Sequence, residues 1–144
     1  VSAQTLAVEQ ATRDDAAAGE RLRFASHDGT VLHGRWFAPQ GEPWAAVLMA
    51  GAIGVEASFY AGFAHWLAGQ GAAVLAFDYR GVGESRPHGS PRDVRADLDL
   101  WAQDEDAALS RVEARRRTPS ITGSESVSTI TVSISGTASN VSIM

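Results

Sequence analysis

The run Ala72-Ala73-Val74-Leu75-Ala76-Phe77-Asp78-Tyr79-Arg80-Gly81-Val82-Gly83-Glu84-Ser85-Arg86-Pro87 decides how the rest of the chain is read. Its first six residues are short and continuously apolar, the pattern of a strand covered on both faces, and the polar residues after Phe77 form a turn containing two glycines. Just upstream, Phe59, Phe63, Trp66 and Leu67 recur at the helical period, which predicts a helix with these four large side chains on one core-facing stripe. Ser58 is its candidate cap, and Gly69 and Gly71 supply the stop. A second short apolar run over 44–49 ends at Ala50-Gly51 and precedes the loop 52–56. Strand, helix, strand in this order implies a parallel crossover.

Working towards the amino terminus, Leu22 and Phe24 alternate with Arg21 and Arg23, and the alternation resumes at Val31 after His27-Asp28-Gly29. Asp-Gly between two alternating runs predicts a hairpin, with strands at about 20–26 and 30–38. Residues 1–19 read as a loosely ordered leader, with neither the basic start nor the sustained apolar run of a targeting segment. Towards the carboxyl terminus, Ser90-Pro91-Arg92-Asp93 is a helix opening. Val94, Leu98, Trp101, Ala108 and Val112 continue the helix as an apolar stripe to about Arg115, where Arg111 and the arginines at 115–117 face the negative end of its dipole. From Thr118 the composition changes abruptly: 27 residues hold eight Ser, five Thr and a single charged side chain, Glu125. Ile130, Val132 and Ile134 alternate there with polar residues, which predicts at most one exposed strand with nothing obvious to pair with it. The organisation read from the sequence is a leader over 1–19, an ordered unit over 20–117 and a poorly specified Ser/Thr-rich tail over 118–144.

Composition narrows the chemistry. The length of 144 residues fits one core, and a formal charge of −5 repels phosphate backbones, so nucleic acid is not an expected partner. All 12 basic residues are arginine, which removes phosphate-loop, Schiff-base and general-base lysines together. With no cysteine there is no thiol nucleophile, thiolate metal site or disulfide; the composition is compatible with a cytoplasmic location. No stretch approaches the ~20 apolar residues of a membrane span.

Residues 22 to about 112 resemble the amino-terminal half of an α/β-hydrolase, in the serine-aminopeptidase-like and bacterial hydrolase branch. The resemblance is carried by Met49-Ala50-Gly51-Ala52-Ile53-Gly54-Val55, by Phe59-Tyr60-Ala61-Gly62-Phe63-Ala64-His65-Trp66-Leu67, and most specifically by the run from Ala73 through Asp78-Tyr79-Arg80-Gly81-Val82-Gly83-Glu84-Ser85. It implies an α/β fold, here an incomplete one: an antiparallel hairpin plus parallel strands with flanking helices. It implies serine-dependent hydrolysis of an ester or peptide-like acyl bond in a small-molecule substrate, with no cofactor and no metal. It also implies that a backbone N–H of the oxyanion hole comes from Ala52, or less directly Ile53, in a loop shaped by Gly51 and Gly54. Many relatives begin that loop with His-Gly where this chain has Ala50-Gly51, a mild departure because the donor is main chain. Asp78, Arg80, Gly81, Gly83 and Ser85 would brace the turn after the fourth strand.

The family pattern continues with Gly-x-Ser-x-Gly, then an acidic residue, then His. This sequence contains no Gly-x-Ser-x-Gly, and no His follows His88. Gly83-Glu84-Ser85-Arg86-Pro87 has only the first half of that elbow and follows the wrong strand; Gly123-Ser124-Glu125-Ser126 puts Glu where Ser should stand. The expectation is a family member whose 144 residues lack nucleophile and base, with the break near Arg116 pointing to a fragment or a shifted reading frame; the alternative is a non-catalytic pseudo-hydrolase or interaction module. Half a sheet would also leave an open edge that favours self-association.

Rival chemistries fit less well. Gly51-Ala52-Ile53-Gly54 and Gly81-Val82-Gly83 lack the spacing of a dinucleotide fingerprint. His27, His33, His65 and His88 are scattered, and Asp104-Glu105-Asp106 read as a solvated helix face rather than a cation loop. Trp36, Trp44, Trp66 and Trp101 read as core.

Overall fold

A computed structural model describes the backbone over residues 2–52, 54–87, 96–116, 128–135 and 138–143, and side chains over 2–10, 17–52, 54–87 and 96–115. Helix α1 (Ala3–Ala18) is followed by strands β1 (Glu20–Ala25), β2 (Val31–Phe37) and β3 (Ala45–Ala50), helix α2 (Ala61–Gly69), strand β4 (Ala72–Asp78), helix α3 (Leu98–Arg116) and strands β5 (Ser128–Ser135) and β6 (Ala138–Ile143). The strands form a mixed sheet in the order β1-β2-β4-β3-β5-β6.

The hairpin stands where Asp28-Gly29 places it. Gly29 takes φ +85°, Ser26 N–H donates to the Thr30 carbonyl at 2.8 Å, and Thr30 N–H donates to the Asp28 carboxylate at 3.0 Å. β1 pairs antiparallel with β2, β2 pairs antiparallel with β4, and β3 pairs parallel with β4 in the register Val47 to Val74, as the crossover requires. Every residue of β3 and of β4 is buried, so alternate side chains feed opposite faces of the sheet. Towards α3 point Leu22, Trp36, Leu48, Leu75 and Phe77, packed on Ala108 and Val112; towards α2 point Phe37, Val47, Met49 and Val74, packed on Ala64 and Ala68. Trp44 closes the far end of the crossover, its N–H donating to the Gly71 carbonyl at 3.2 Å and its indole N–H to the Gln70 carbonyl at 2.8 Å.

Several sequence expectations are corrected. The predicted core stripe of α2 faces outwards: Phe59 is 78%, Phe63 48% and Trp66 57% exposed, and Leu67 alone of the four is partly buried against the sheet. An alanine stripe, Ala57, Ala61, Ala64 and Ala68, has the same period and takes the inner side, because small side chains let the helix ride close to Ala72, Val74 and Ala76. Trp44 is likewise exposed, whereas Trp36 is buried and Trp101 half-buried. Ser58 does not cap α2, which begins at Ala61 after a 3₁₀ turn over Ala57–Tyr60; the Ser58 hydroxyl donates to Glu56 instead. Helix α3 starts at Leu98 with Asp97 accepting the Leu100 N–H at 2.9 Å; the predicted opening at 90–94 lies outside the described residues. Leu98, placed on the apolar stripe, is exposed, while Asp104 on the presumed solvated face is buried.

The segment read as a loosely ordered leader carries α1, six of whose sixteen residues are alanine, the strongest helix former; Gly19 at φ +77° ends it. The expectation that a strand in the tail would find no partner is also corrected. β5 pairs parallel with β3, Val47 against Ile130 and Ala50 against Ser133, and antiparallel with β6, so the edge of β3 expected to stand open is occupied. Main-chain hydrogen bonding, blind to the Ser/Thr content, is what the residue composition concealed.

Candidate functional site

Two loops leave the carboxyl ends of the neighbouring parallel strands β3 and β4; Gly51, Ala52 and Gly54 sit on the first and Arg80, Gly81, Gly83 and Ser85 on the second. The turn after β4 is held by ionised groups. Arg80, 4% exposed, sends Nε and Nη2 to the Asp104 carboxylate, the shortest contact being 2.7 Å, and Nη1 to Asp28 at 2.7 Å. Ser26 Oγ donates to Asp104 at 2.7 Å and accepts from Arg80 Nη2 at 3.3 Å, while the Arg80 backbone N–H donates to Asp104 at 3.1 Å. A guanidinium ringed in this way cannot release its proton: the Asp104 bonds push its pKa further above its already high value, and the Arg80 bond pulls the Asp28 carboxyl below its usual range.

Asp78 ends β4 and ties the two loops together. Its Oδ1 accepts the Ala57 N–H at 2.6 Å and its Oδ2 accepts the Glu84 N–H at 3.0 Å. Burial nevertheless raises its pKa above the ordinary carboxylate value, the two N–H bonds opposing the shift and the charges of Glu56 and Glu84 adding to it. Gly83 lies against this carboxylate with φ +46°, and a Cβ there would stand 2.6 Å from Asp78 Oδ2. The sequence motif thus has a physical content: only glycine lets the turn close over Asp78. Ser85 is spent on the same brace. Its buried hydroxyl donates to the Asp78 carbonyl at 2.7 Å and accepts the His33 backbone N–H at 2.8 Å, which leaves it no role as a nucleophile.

The loop after β3 is held more lightly. Gly51 fits because a Cβ would meet the Val55 carbonyl oxygen at 2.5 Å; Val55 N–H donates to the Ala52 carbonyl at 2.9 Å, and Gly54 takes φ +78°. Ala52, the residue expected to present a main-chain donor, points its N–H at the Tyr60 hydroxyl at 3.5 Å. That contact is at the outer limit of a hydrogen bond, so the amide is available to a stronger acceptor. Ile53 lies outside the described residues. Tyr60 is half-buried, packed against the α2-side core, with Phe59 edge-on at 5.2 Å. Nothing in residue spacing marks it as a neighbour of Ala52, since it belongs to the turn preceding α2.

Several of the remaining polar groups make structural contacts, whereas the buried His33 Nδ1 and Trp101 Nε1 have no hydrogen-bond partner among the described residues. His27 contacts Asp106, Tyr79 donates to Glu105 at 3.0 Å, and Arg35 reaches Glu84 at 2.7 Å. Among the described residues no group of three His, Asp or Glu could hold a metal ion, and no helix is long and apolar enough to cross a membrane. A cleft of about 670 Å³ lies beside Trp36, Gln40 and His65, and another of about 930 Å³ beside Arg23, His33 and Arg86; neither is lined by the loop after β3.

Comparison with known proteins gives this geometry a context. The serine aminopeptidase S33 family model matches residues 41–132. An α/β-hydrolase from Novosphingobium aromaticivorans superposes with TM-score 0.54 and 26% identity, covering 65% of this chain and 32% of its own. A hypothetical protein from Pseudomonas aeruginosa does so with TM-score 0.55 and 30% identity, covering 65% and 30%. A highly thermostable carboxyl esterase from Bacillus coagulans shares the fold at TM-score 0.57 and 19% identity, covering 69% and 33%. This chain therefore spans about a third of the length of the solved structures it matches. No curated protein matches it.

Proposed function

Because the chain belongs to the serine aminopeptidase S33 family of α/β-hydrolases, we propose that it carries the oxyanion-hole half of a serine hydrolase acting on an ester or peptide-like acyl bond. The carrying observation is the Ala52 amide, aimed out of the β3 loop with only a 3.5 Å contact to Tyr60. Attack on an acyl carbonyl develops negative charge on its oxygen, and a pre-aimed N–H stabilises that charge without reorganising at the moment of reaction; loss of one such donor typically costs about 100- to 1000-fold in kcat. Ala52 is the donor in this reading, Ile53 its less direct substitute, and Gly51 and Gly54 set the loop; Asp78 holds the loop's far end through Ala57.

The same reading assigns no acyl transfer to these 144 residues alone. They contain no Gly-x-Ser-x-Gly and no His after His88, and the hydroxyl of Ser85 is consumed by backbone bonds. Treatment of the purified chain with a fluorophosphonate probe tests this: no serine is expected to label, and stoichiometric labelling of any serine overturns it. The coding sequence beyond Arg115 tests the fragment reading, which fails if no reading frame continues into a strand followed by Gly-x-Ser-x-Gly. A second reading, a non-catalytic interaction module, is favoured by the outward aromatics Phe59, Phe63 and Trp66. Light scattering separates the two: a clean monomer with a cooperative melt supports a working module, and concentration-dependent association supports the orphaned half-domain.

A further inference from the structure

We infer that the cleft of about 930 Å³ between β1, β2 and the turn after β4, away from the loop after β3, binds a small phosphate monoester. Its lining holds four arginines, Arg21, Arg23, Arg80 and Arg86, against two carboxylates, Asp28 and Glu84, a local reversal of sign in a chain of net charge −5. Both carboxylates are already committed. Asp28 spends its two oxygens on Arg80, and Glu84 meets Arg35 at 2.7 Å and Arg21 at 3.8 Å. Arg23 and Arg86 are exposed, and neither guanidinium has an ion pair or hydrogen bond among the described residues. A guanidinium matches phosphate oxygens two at a time, so two unspent ones in one cleft suit a dianion.

His33 supplies the cleft with a neutral donor. Arg23 stands opposite His33 in the β1–β2 register, so both belong to the same face of the sheet, and Arg21 and Val31 share that face by alternation. On it α2 packs against Phe37, at the other end of β2, and Arg23 stays exposed. The His33 Nδ1 atom is buried with no hydrogen-bond partner among the described residues. A proton there would be an orphaned donor, so the neutral ring carries it on Nε2, the nitrogen able to donate to a phosphate oxygen. Val31, 44% exposed, and Pro87 add an apolar patch to the same lining, which fits the carbon part of an ester. The volume is that of a site for a small organic molecule rather than a bare ion.

The test titrates the full chain with phenyl phosphate at about pH 7.5, where the ester is a dianion, and follows the Arg23 Nε–H and the His33 and His65 ring resonances. Arg23 and His33 are expected to shift and saturate together, while His65, which lines the other cleft, stays in place. Arg23→Gln and Arg86→Gln should each weaken the affinity by about 10-fold, the worth of one hydrogen bond to a charged acceptor. Arg111→Gln removes the same charge from an exposed position on α3 and should leave binding unchanged. Equal weakening by Arg111→Gln reduces the effect to overall charge and overturns the site. Inorganic phosphate lacks the ring that Val31 and Pro87 would hold, and benzoate lacks the second charge, so both should bind more weakly than phenyl phosphate. Parity of inorganic phosphate overturns the ester, and parity of benzoate overturns the phosphate. A titration in which Arg23 and His33 do not move overturns the proposal outright. Should either variant fail to fold, the resonances of the unsubstituted chain decide alone. None of these outcomes depends on Ala52.

Discussion

The ends of β3 and β4 lie side by side in one sheet and are finished in opposite ways. After β4 the chain is locked by a buried guanidinium, two carboxylates, a serine hydroxyl and a glycine pressed onto Asp78. After β3 it is held by one short turn, a close approach at Gly51 and a long contact from Ala52 to Tyr60. In the proposed reading, a loop that presents the Ala52 N–H to a ligand must hold that N–H only lightly. Its rigidity is therefore supplied from next door, and Asp78, with one oxygen on each side, carries the load across.

The largest expected effect comes from removing the counter-charge at the locked end. Asp104→Ala leaves Arg80 buried and half-paired, and should cost about 3–5 kcal/mol of unfolding free energy in urea melts. A loss below about 1 kcal/mol would mean that Asp28 and Ser26 suffice and that the two ends are less different than their bonds suggest. Next comes a paired glycine comparison. Gly83→Ala forces a Cβ onto the Asp78 carboxylate at positive φ and should cost about 1–3 kcal/mol. Gly51→Ala brings a Cβ within 2.5 Å of the Val55 backbone carbonyl oxygen and should also cost about 1–3 kcal/mol, and in addition move the Ala52 amide resonance. A Gly51→Ala chain with unchanged stability and an unchanged Ala52 resonance would show that the loop after β3 yields around an added methyl while the turn after β4 does not.

Acid sensitivity sharpens the contrast further. Asp28 has its folded pKa depressed, so the stability it contributes is present above its unfolded value of about 4 and is lost as pH falls below that value. The advantage of the unsubstituted chain over Asp28→Asn should therefore shrink between about pH 4 and pH 2 in urea melts. Asp78, with its folded pKa raised by burial, acts in the opposite sense, and its share of stability declines as pH rises through that value. The smallest effect belongs to the outward face of α2: Phe63→Ser should change stability by no more than about 0.5 kcal/mol, since half of its surface is already in water.

How far the sequence could be read follows the range of the forces involved. Asp28-Gly29 fixed its hairpin and the runs at 44–49 and 72–77 their strands, because turn chemistry and full burial are local properties. The α2 helix was legible, but its inner face was not. Two stripes of equal period competed, and the choice between aromatics and alanines depends on how near the helix must sit to a sheet that the helix sequence does not describe. Asp104 was misread for the same reason: its partner Arg80 is 24 residues away and its neighbour Ser26 is 78 away, so no window of sequence holds the cluster. Ala52 was reached through a family resemblance, whereas Tyr60 became visible only when loop and turn were seen folded against each other. The strand at β5 was legible in the alternation of Ile130, Val132 and Ile134, but its parallel partner β3, far upstream in the chain, was not.

The alanine seat beneath α2 has a mechanical corollary. With Ala57, Ala64 and Ala68 pressed on Ala72, Val74 and Ala76, the interface has little slack to absorb displacement. A load applied to the outer aromatics is passed on as rigid motion of the helix rather than damped by repacking. The turn Ala57–Tyr60 runs straight into the helix, so it is the stretch of chain next in line for any such movement.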